Sequence, residues 1–280
     1  LGNIDDTSDG GFLNPDSAGL NPPFIKVTIS ENPRSSLSAI VTFELAEPLA
    51  AAVAFGAEGI SEQITGIQPP STLHEIAVVG MRANSTYRIE PVVILTDGSE
   101  LRDNAVSFTT GDLPSGILDM EVVVHQPAKV QPGITLLGPT NPQKNTEQTP
   151  DYIGLDEIGE VVWYYFDDSE GSQSGGNLDT EARQLSDGSI LLALKNEYRV
   201  ISPGGKTLRS IAVSQGAAGC NVGVGNIHHD IDIMPNGTVI WHVGSTCNIC
   251  DEVDERNAAL LWVNSSTGEH GILASGVRNS

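Results

Sequence analysis

His228, His229 and Asp230 stand together, just before the apolar alternation Ile231-Asp232-Ile233-Met234 and a Pro235-Asn236-Gly237 turn signal. A neutral imidazole is a competent nucleophile near pH 7, and histidine changes charge in the same range. On a regular strand His228 and His229 point to opposite faces, so only one of them can line a given wall. Asp230 then shares a face with His228 and is not a direct partner for His229. His229 is the first candidate site residue and His228 the second. The plain alternative is a hydrogen-bonded histidine that packs its sheet. Of the other histidines, His242 in VIWHV reads as a strand residue without a role, and His74 and His270 read as surface residues. His125, in EVVVHQP, lies near the start of the second domain. Arg183 and Arg199 fall in hairpins, and no pattern selects one of them.

Cys247-Asn248-Ile249-Cys250 is a C-x-x-C, and Cys220 is the third cysteine of the chain. A zinc site needs a second pair, and a redox dithiol belongs in a βαβ context that is missing here. One disulfide is the better reading, as Cys220–Cys247, Cys220–Cys250 or Cys247–Cys250, with one thiol left over. Asp5, Thr7, Asp9, Gly10 and Asp16 are loosely spaced like a Ca²⁺ loop, with Asp where a bidentate Glu is usual. Asp167-Asp168-x-Glu170 and Asp251-Glu252-x-Asp254-Glu255 are oxygen-rich, but such runs are more often solvated faces. No metal ligand or cofactor-binding residue is assigned, and Ca²⁺ is the weaker alternative. The sequons at Asn84, Asn236 and Asn264 matter only in a eukaryotic secretory host.

Elements that would position these residues are short strands. The chain has 280 residues, with 30 Gly and 16 Pro against 18% charged residues, a turn-rich all-β balance. Its 36 acidic and 14 basic residues give a net charge of -22. That excludes nucleic acid as a partner, since phosphate contacts need Lys and Arg, and argues against docking on anionic lipid. No apolar run is long enough to span a bilayer, so no membrane insertion is expected. Residues 1–23 form an acidic Gly/Asp/Pro tail. Residues 24–114 read as about seven short strands of an Ig or fibronectin-III-like sandwich, with a hairpin signal at Asp97-Gly98. Leu113-Pro114-Ser115-Gly116 marks a boundary. From 117 to 280 two hairpin types alternate. The turn glycines Gly159, Gly205 and Gly268 recur 46 and 63 residues apart, and Gly188 and Gly237 are 49 apart. Repeats of that length, with four strands each, are the signature of β-propeller blades.

HEIAVVGM, FTTGDLPSG, DYIGLDEIGEVVWYY and NIHHDIDIMPNGTVIWHVG, in that order, resemble the bacterial arylsulfate sulfotransferase family. The resemblance covers roughly residues 30–275 as a string of short motifs, and His-His-Asp followed by Pro-Asn-Gly is the most specific of them. It implies an Ig-like domain followed by a six-bladed propeller. It also implies transfer of a sulfuryl group from a phenolic sulfate donor to a phenol acceptor through a sulfo-histidine intermediate. Neither a nucleotide sulfate donor nor a metal is expected. His228 or His229 matches the family's first channel histidine, and the nucleophilic histidine has no match before Ser280. At about 47 residues per blade, residues 117–280 give three to four blades, an incomplete propeller. The first residue is Leu, which suggests processing or a piece of a longer protein. Strong acidity, few lysines and clustered cysteines fit an exported protein, whether periplasmic, cell-surface or extracellular. The alternative is a non-catalytic, self-assembling surface or filament subunit that reuses the fold, with strands added between subunits as β-augmentation. A homo-oligomer or larger assembly is expected in that case.

Overall fold

The computed structural model describes residues 11–13, 23–117, 121–138, 150–167, 182–194, 197–212, 227–245, 251–264 and 266–277. The protein is all-β. Among the described residues the regular elements are strands, apart from one 3₁₀ turn at Pro127–Lys129. Two compact units divide it. The first comprises Leu1–Thr135 with Gly154–Tyr165, and the second Leu136–Ile153 with Phe166–Ser280.

The first unit holds β1 (Gly11–Leu13), β2 (Phe24–Asn32), β3 (Ser35–Ala57), β4 (Ile60–Ile64), β5 (Gln68–Val78), β6 (Thr86–Ile94), β7 (Glu100–Arg102) and β8 (Val106–Thr109). They form one curled sheet in the order β1-β2-β3-β6-β7, with β4 and β5 on β3 and β8 on β6. β3 is the organiser. Its first half pairs with β2 and most of β5, and its second half with β6 and β4. The pairing register with β5 breaks between Glu44 and Leu49, where Pro48 sits. Proline has no N–H to give a ladder, so it is tolerated at such a break. Two apolar runs that look separate in sequence are therefore one strand. Alternation turns Val27, Ile29, Val41, Phe43, Ile76 and Val78 into one core with Phe55, Tyr87 and Ile89. Burial of each such side chain is worth about 1.5–3 kcal/mol.

His74 corrects the sequence reading. It is 1% exposed, not a surface residue. It lies in phase with Ile76 and Val78 on β5, so its ring enters the core and stacks on Phe43 at 5.2 Å. Its Nε2 is 3.0 Å from both the Leu49 and the Ser71 carbonyl oxygens.

The second unit holds two four-stranded meanders. β12 (Ala182–Gln184), β13 (Ile190–Leu194), β14 (Glu197–Ile201) and β15 (Thr207–Ala212) lie side by side in chain order. So do β16 (Ile227–Ile233), β17 (Thr238–Val243), β18 (Ala259–Asn264) and β19 (His270–Ser275). This is the strand plan of propeller blades. β9 (Thr135–Leu137), β10 (Tyr152–Leu155) and β11 (Val161–Tyr165) make a separate three-stranded sheet, of which β11 belongs to the first unit.

The hairpin turns share one chemistry. In Leu95–Ser99, Asp156–Glu160, Leu185–Ser189, Ser202–Lys206 and Met234–Thr238 the first N–H donates to the fifth carbonyl, and the fourth N–H to the first carbonyl. The fourth residue is a glycine with φ of 81–89° in every case. Gly159 is the tightest. A Cβ there would run into Val122 Cγ2, at a φ of +89°. Gly159→Ala is expected to destabilise the first unit by about 2 kcal/mol, from left-handed strain plus the clash. Chemical denaturation read by the fluorescence of Trp163, three residues past the turn's end, checks it.

Asp156 organises this turn and also clips it. Its Oδ1 accepts the N–H groups of Ile158 and Glu160. Its Oδ2 accepts Arg82 Nε–H at 2.8 Å and lies 2.7 Å from Arg82 Nη2. The Ser36 N–H donates to Tyr164 Oη at 2.7 Å. The D-x-x-G-E-V-V-W hairpin is thereby held against the curled sheet of its own unit.

Candidate functional site

The candidate histidines lie on a first strand. β12 opens one meander and β16 the next, and the two meanders share a core. Leu191, Ala193 and Tyr198 meet Ile231, Val239, Trp241, Val243, Leu261 and Val263 there. The edge of the Tyr198 ring meets the Trp241 ring at 5.3 Å and 60°. The β16–β17 turn is fixed by Asn236 Oδ1, which accepts the Thr238 N–H at 3.0 Å, and by Gly237 in the left-handed region.

His228 and His229 lie on β16, where the ladder breaks. Ile227 is opposite Val243, and Ile231 is opposite Trp241. Three residues, His228, His229 and Asp230, therefore stand against His242 alone. This is a bulge with two extra residues. Across it the register with β17 slips by two residues, so the even count behind strict alternation is interrupted. Bulges of this kind are frequent beside active sites.

His242, opposite the bulge, is buried, and its Nε2 is 2.9 Å from the Val277 carbonyl oxygen. His125 and His270 are exposed. Arg199, on β14, is 4% exposed and committed to an internal network. Its Nη1 donates to Asp167 Oδ1 at 2.8 Å, and its Nε and Nη2 both bind Glu197. Glu197 in turn accepts Ser210 Oγ–H at 2.8 Å. Arg183, on β12, is instead one-third exposed, and its Nη1 lies 3.1 Å from Asp232 Oδ2 on β16. The structure thus separates two arginines that the sequence left equal.

Cys220, Cys247 and Cys250 lie outside the described residues, as do Asp5, Thr7, Asp9, Gly10, Asp16, Asp168 and Glu170. Among the described residues no group of three or more His, Cys, Asp or Glu is arranged to hold a metal ion. The acidic run after Val243 is occupied locally. Asp254 binds Arg256 at 2.5–2.8 Å, and Glu252 accepts Ser245 Oγ–H at 2.6 Å. Arg256 holds the Asp254 carboxyl down at about 2. A depressed carboxyl contributes stability above its unfolded value, near 4, and loses it as pH falls through the folded value. A small loss between about pH 4 and pH 2 is expected, discounted because the pair is about a third exposed. Removing the pair by Arg256→Gln should flatten that part of an acid-unfolding curve.

In the first unit a groove of about 380 Å³ is lined by Gly56, Glu58, Glu62, Tyr87, Arg88 and Glu90, among others. Arg88 and the neighbouring Arg102 are engaged by carboxylates. Buried Glu90 binds Arg88 and Arg102, and Arg102 also reaches Glu62 and Glu100.

The two meanders have the strand plan of propeller blades, and the candidate histidines lie on the first strand of one of them. The chain belongs to the arylsulfotransferase (ASST) family, whose sequence profile matches residues 119–270. A search of curated proteins finds no match.

Proposed function

We propose that the protein transfers a sulfuryl group from an aryl sulfate to a phenol, with His229 contacting the sulfuryl group and His228 as the second candidate. The observation that carries the reading is the bulge at 228–230, on the first strand of a blade, within a chain of the arylsulfotransferase family.

In the first half-reaction an imidazole nitrogen forms a bond to sulfur as the bond from sulfur to the aryl oxygen breaks, and the phenol leaves with a proton. In the second, the acceptor's oxygen attacks sulfur, its proton is released, and the imidazole is regenerated. The sulfuryl oxygens gather charge as the group moves, so fixed donors aimed at them lower the barrier. In this reading His229 acts as a donor to those oxygens, and a separate imidazole attacks sulfur. Neither a nucleotide sulfate nor a metal is required, and an exported location suits the reading.

Two half-reactions on one enzyme require ping-pong kinetics. Double-reciprocal plots of 4-nitrophenyl sulfate turnover at several phenol concentrations should be parallel. Intersecting lines would mean direct transfer and remove the intermediate.

A second reading has one observation in its favour. β1, from the acidic tail, pairs antiparallel with β2, with Gly11 opposite Ser30 and Leu13 opposite Thr28. A three-residue strand laid on a sheet edge can equally come from a neighbouring copy, as in β-augmentation. Deleting residues 1–23 and measuring native mass tests it. Dissociation of an assembly supports a subunit role, and an unchanged mass removes it.

A further inference from the structure

We infer that Arg183 is a positioning residue for the histidine bulge, acting through Asp232; the inference rests on the sulfuryl-transfer reading above. Arg183 is on β12 and Asp232 on β16, the first strands of the two meanders. Arg183 Nη1 lies 3.1 Å from Asp232 Oδ2. The other carboxylate oxygen, Oδ1, accepts the N–H of Ile233 at 2.8 Å. One carboxylate thus grips its own backbone on one side and the neighbouring meander on the other.

The place of this grip gives it meaning. Between Ile227 and Ile231 the β16–β17 ladder slips by two residues, and His228, His229 and Asp230 lie at that slip. Pairing resumes at Ile231, whose side chain is anchored in the shared core. Asp232 is the next residue and the first charged side chain past the bulge. Asp232 is 60% exposed and Arg183 33% exposed at the side chain. An ion pair this open adds little to stability. Its consequence is geometric. It fixes where β16 lies against β12, and so where the chain enters the bulge from its far side. Functional groups must be held to within about half an ångström to act, and residues that touch no substrate supply that restraint.

Three variants of the full chain test this: Arg183→Ala, the isosteric Asp232→Asn, and the charge-exchanged pair Arg183→Asp with Asp232→Arg. The primary readout is the ring-proton NMR signals of His228 and His229, assigned from His228→Asn and His229→Asn. Arg183→Ala should shift or broaden both signals, leave those of His74 and His270 in place, and move Tm by less than about 2 °C. Turnover should fall about tenfold in kcat with KM unchanged, the pattern of a misplaced group acting in the transition state. The charge exchange should recover at least half of kcat. If Arg183→Ala folds poorly, Asp232→Asn gives the same reading. Unmoved His228 and His229 signals in both single variants would overturn the inference. A wild-type protein without transfer activity would overturn the sulfuryl-transfer reading instead, and the NMR signals would still decide the role of Arg183.

Discussion

Replacing Trp241 by alanine is expected to lower the unfolding free energy of the second unit by about 4 kcal/mol. The indole is 2% exposed, on β17, between Ile231 of β16 and Leu261 of β18. Across the meander boundary it meets Tyr198 of β14 edge-on. Truncation removes a large buried area and leaves a cavity lined by strands that cannot collapse without breaking ladder hydrogen bonds. The lost ring contact adds roughly 1 kcal/mol to the transfer and cavity cost. Trp241→Phe keeps a ring in place and should cost less than half as much. Denaturant titration of the two variants checks both values. An alanine variant within 1 kcal/mol of wild type would mean that the two meanders do not share the core described.

The turns show how much of the fold was legible. Asp97-Gly98, Gly188, Gly205 and Gly237 mark hairpins in the sequence because a left-handed fourth residue is cheap only for glycine. Each closes the expected pair of strands. The meanders were likewise readable from the alternation of hairpin types. β3 was less so. SAIVTFEL and AAVAFGAEG look like two strands because Glu47-Pro48 interrupts them, yet the backbone runs on and only the pairing changes. His74 was misplaced because its polar type outweighed its period. It falls two residues before Ile76 and four before Val78, and that spacing placed it inward.

The candidate histidines can be named from the sequence, but the break in the ladder at their positions cannot. Alternation predicts opposite faces for His228 and His229, but a two-residue slip against β17 removes the basis of that count. Nothing local signals such a slip, because it depends on the register of the partner strand. Arg199 was indistinguishable from Arg183 for a related reason. Its partner Asp167 lies 32 residues away, and only the folded chain brings a carboxylate to it.

Replacing His229 by alanine is expected to lower kcat for sulfuryl transfer by roughly a hundredfold to a thousandfold, the loss typical of one donor to a developing oxyanion. KM for the aryl sulfate should change little, since the contact strengthens as charge moves onto the sulfuryl oxygens. Far-ultraviolet circular dichroism should be unchanged, because the residue lies in a bulge and not in the paired ladder. His228→Ala should have the smaller effect of the two. A larger loss from His228 would exchange their roles and leave the bulge as the site.

The central claim is that the histidine bulge serves sulfuryl transfer, and mass spectrometry of the acceptor tests it most directly. The protein is incubated with 4-nitrophenyl sulfate and a second phenol, without any nucleotide sulfate, and the acceptor is then weighed. The expected result is an acceptor heavier by one sulfuryl group, formed at the rate at which nitrophenol appears, with both rates cut a hundredfold or more by His229→Ala. An acceptor that stays unsulfated, or that is sulfated equally by wild type and by both the His229→Ala and His228→Ala variants, would contradict it.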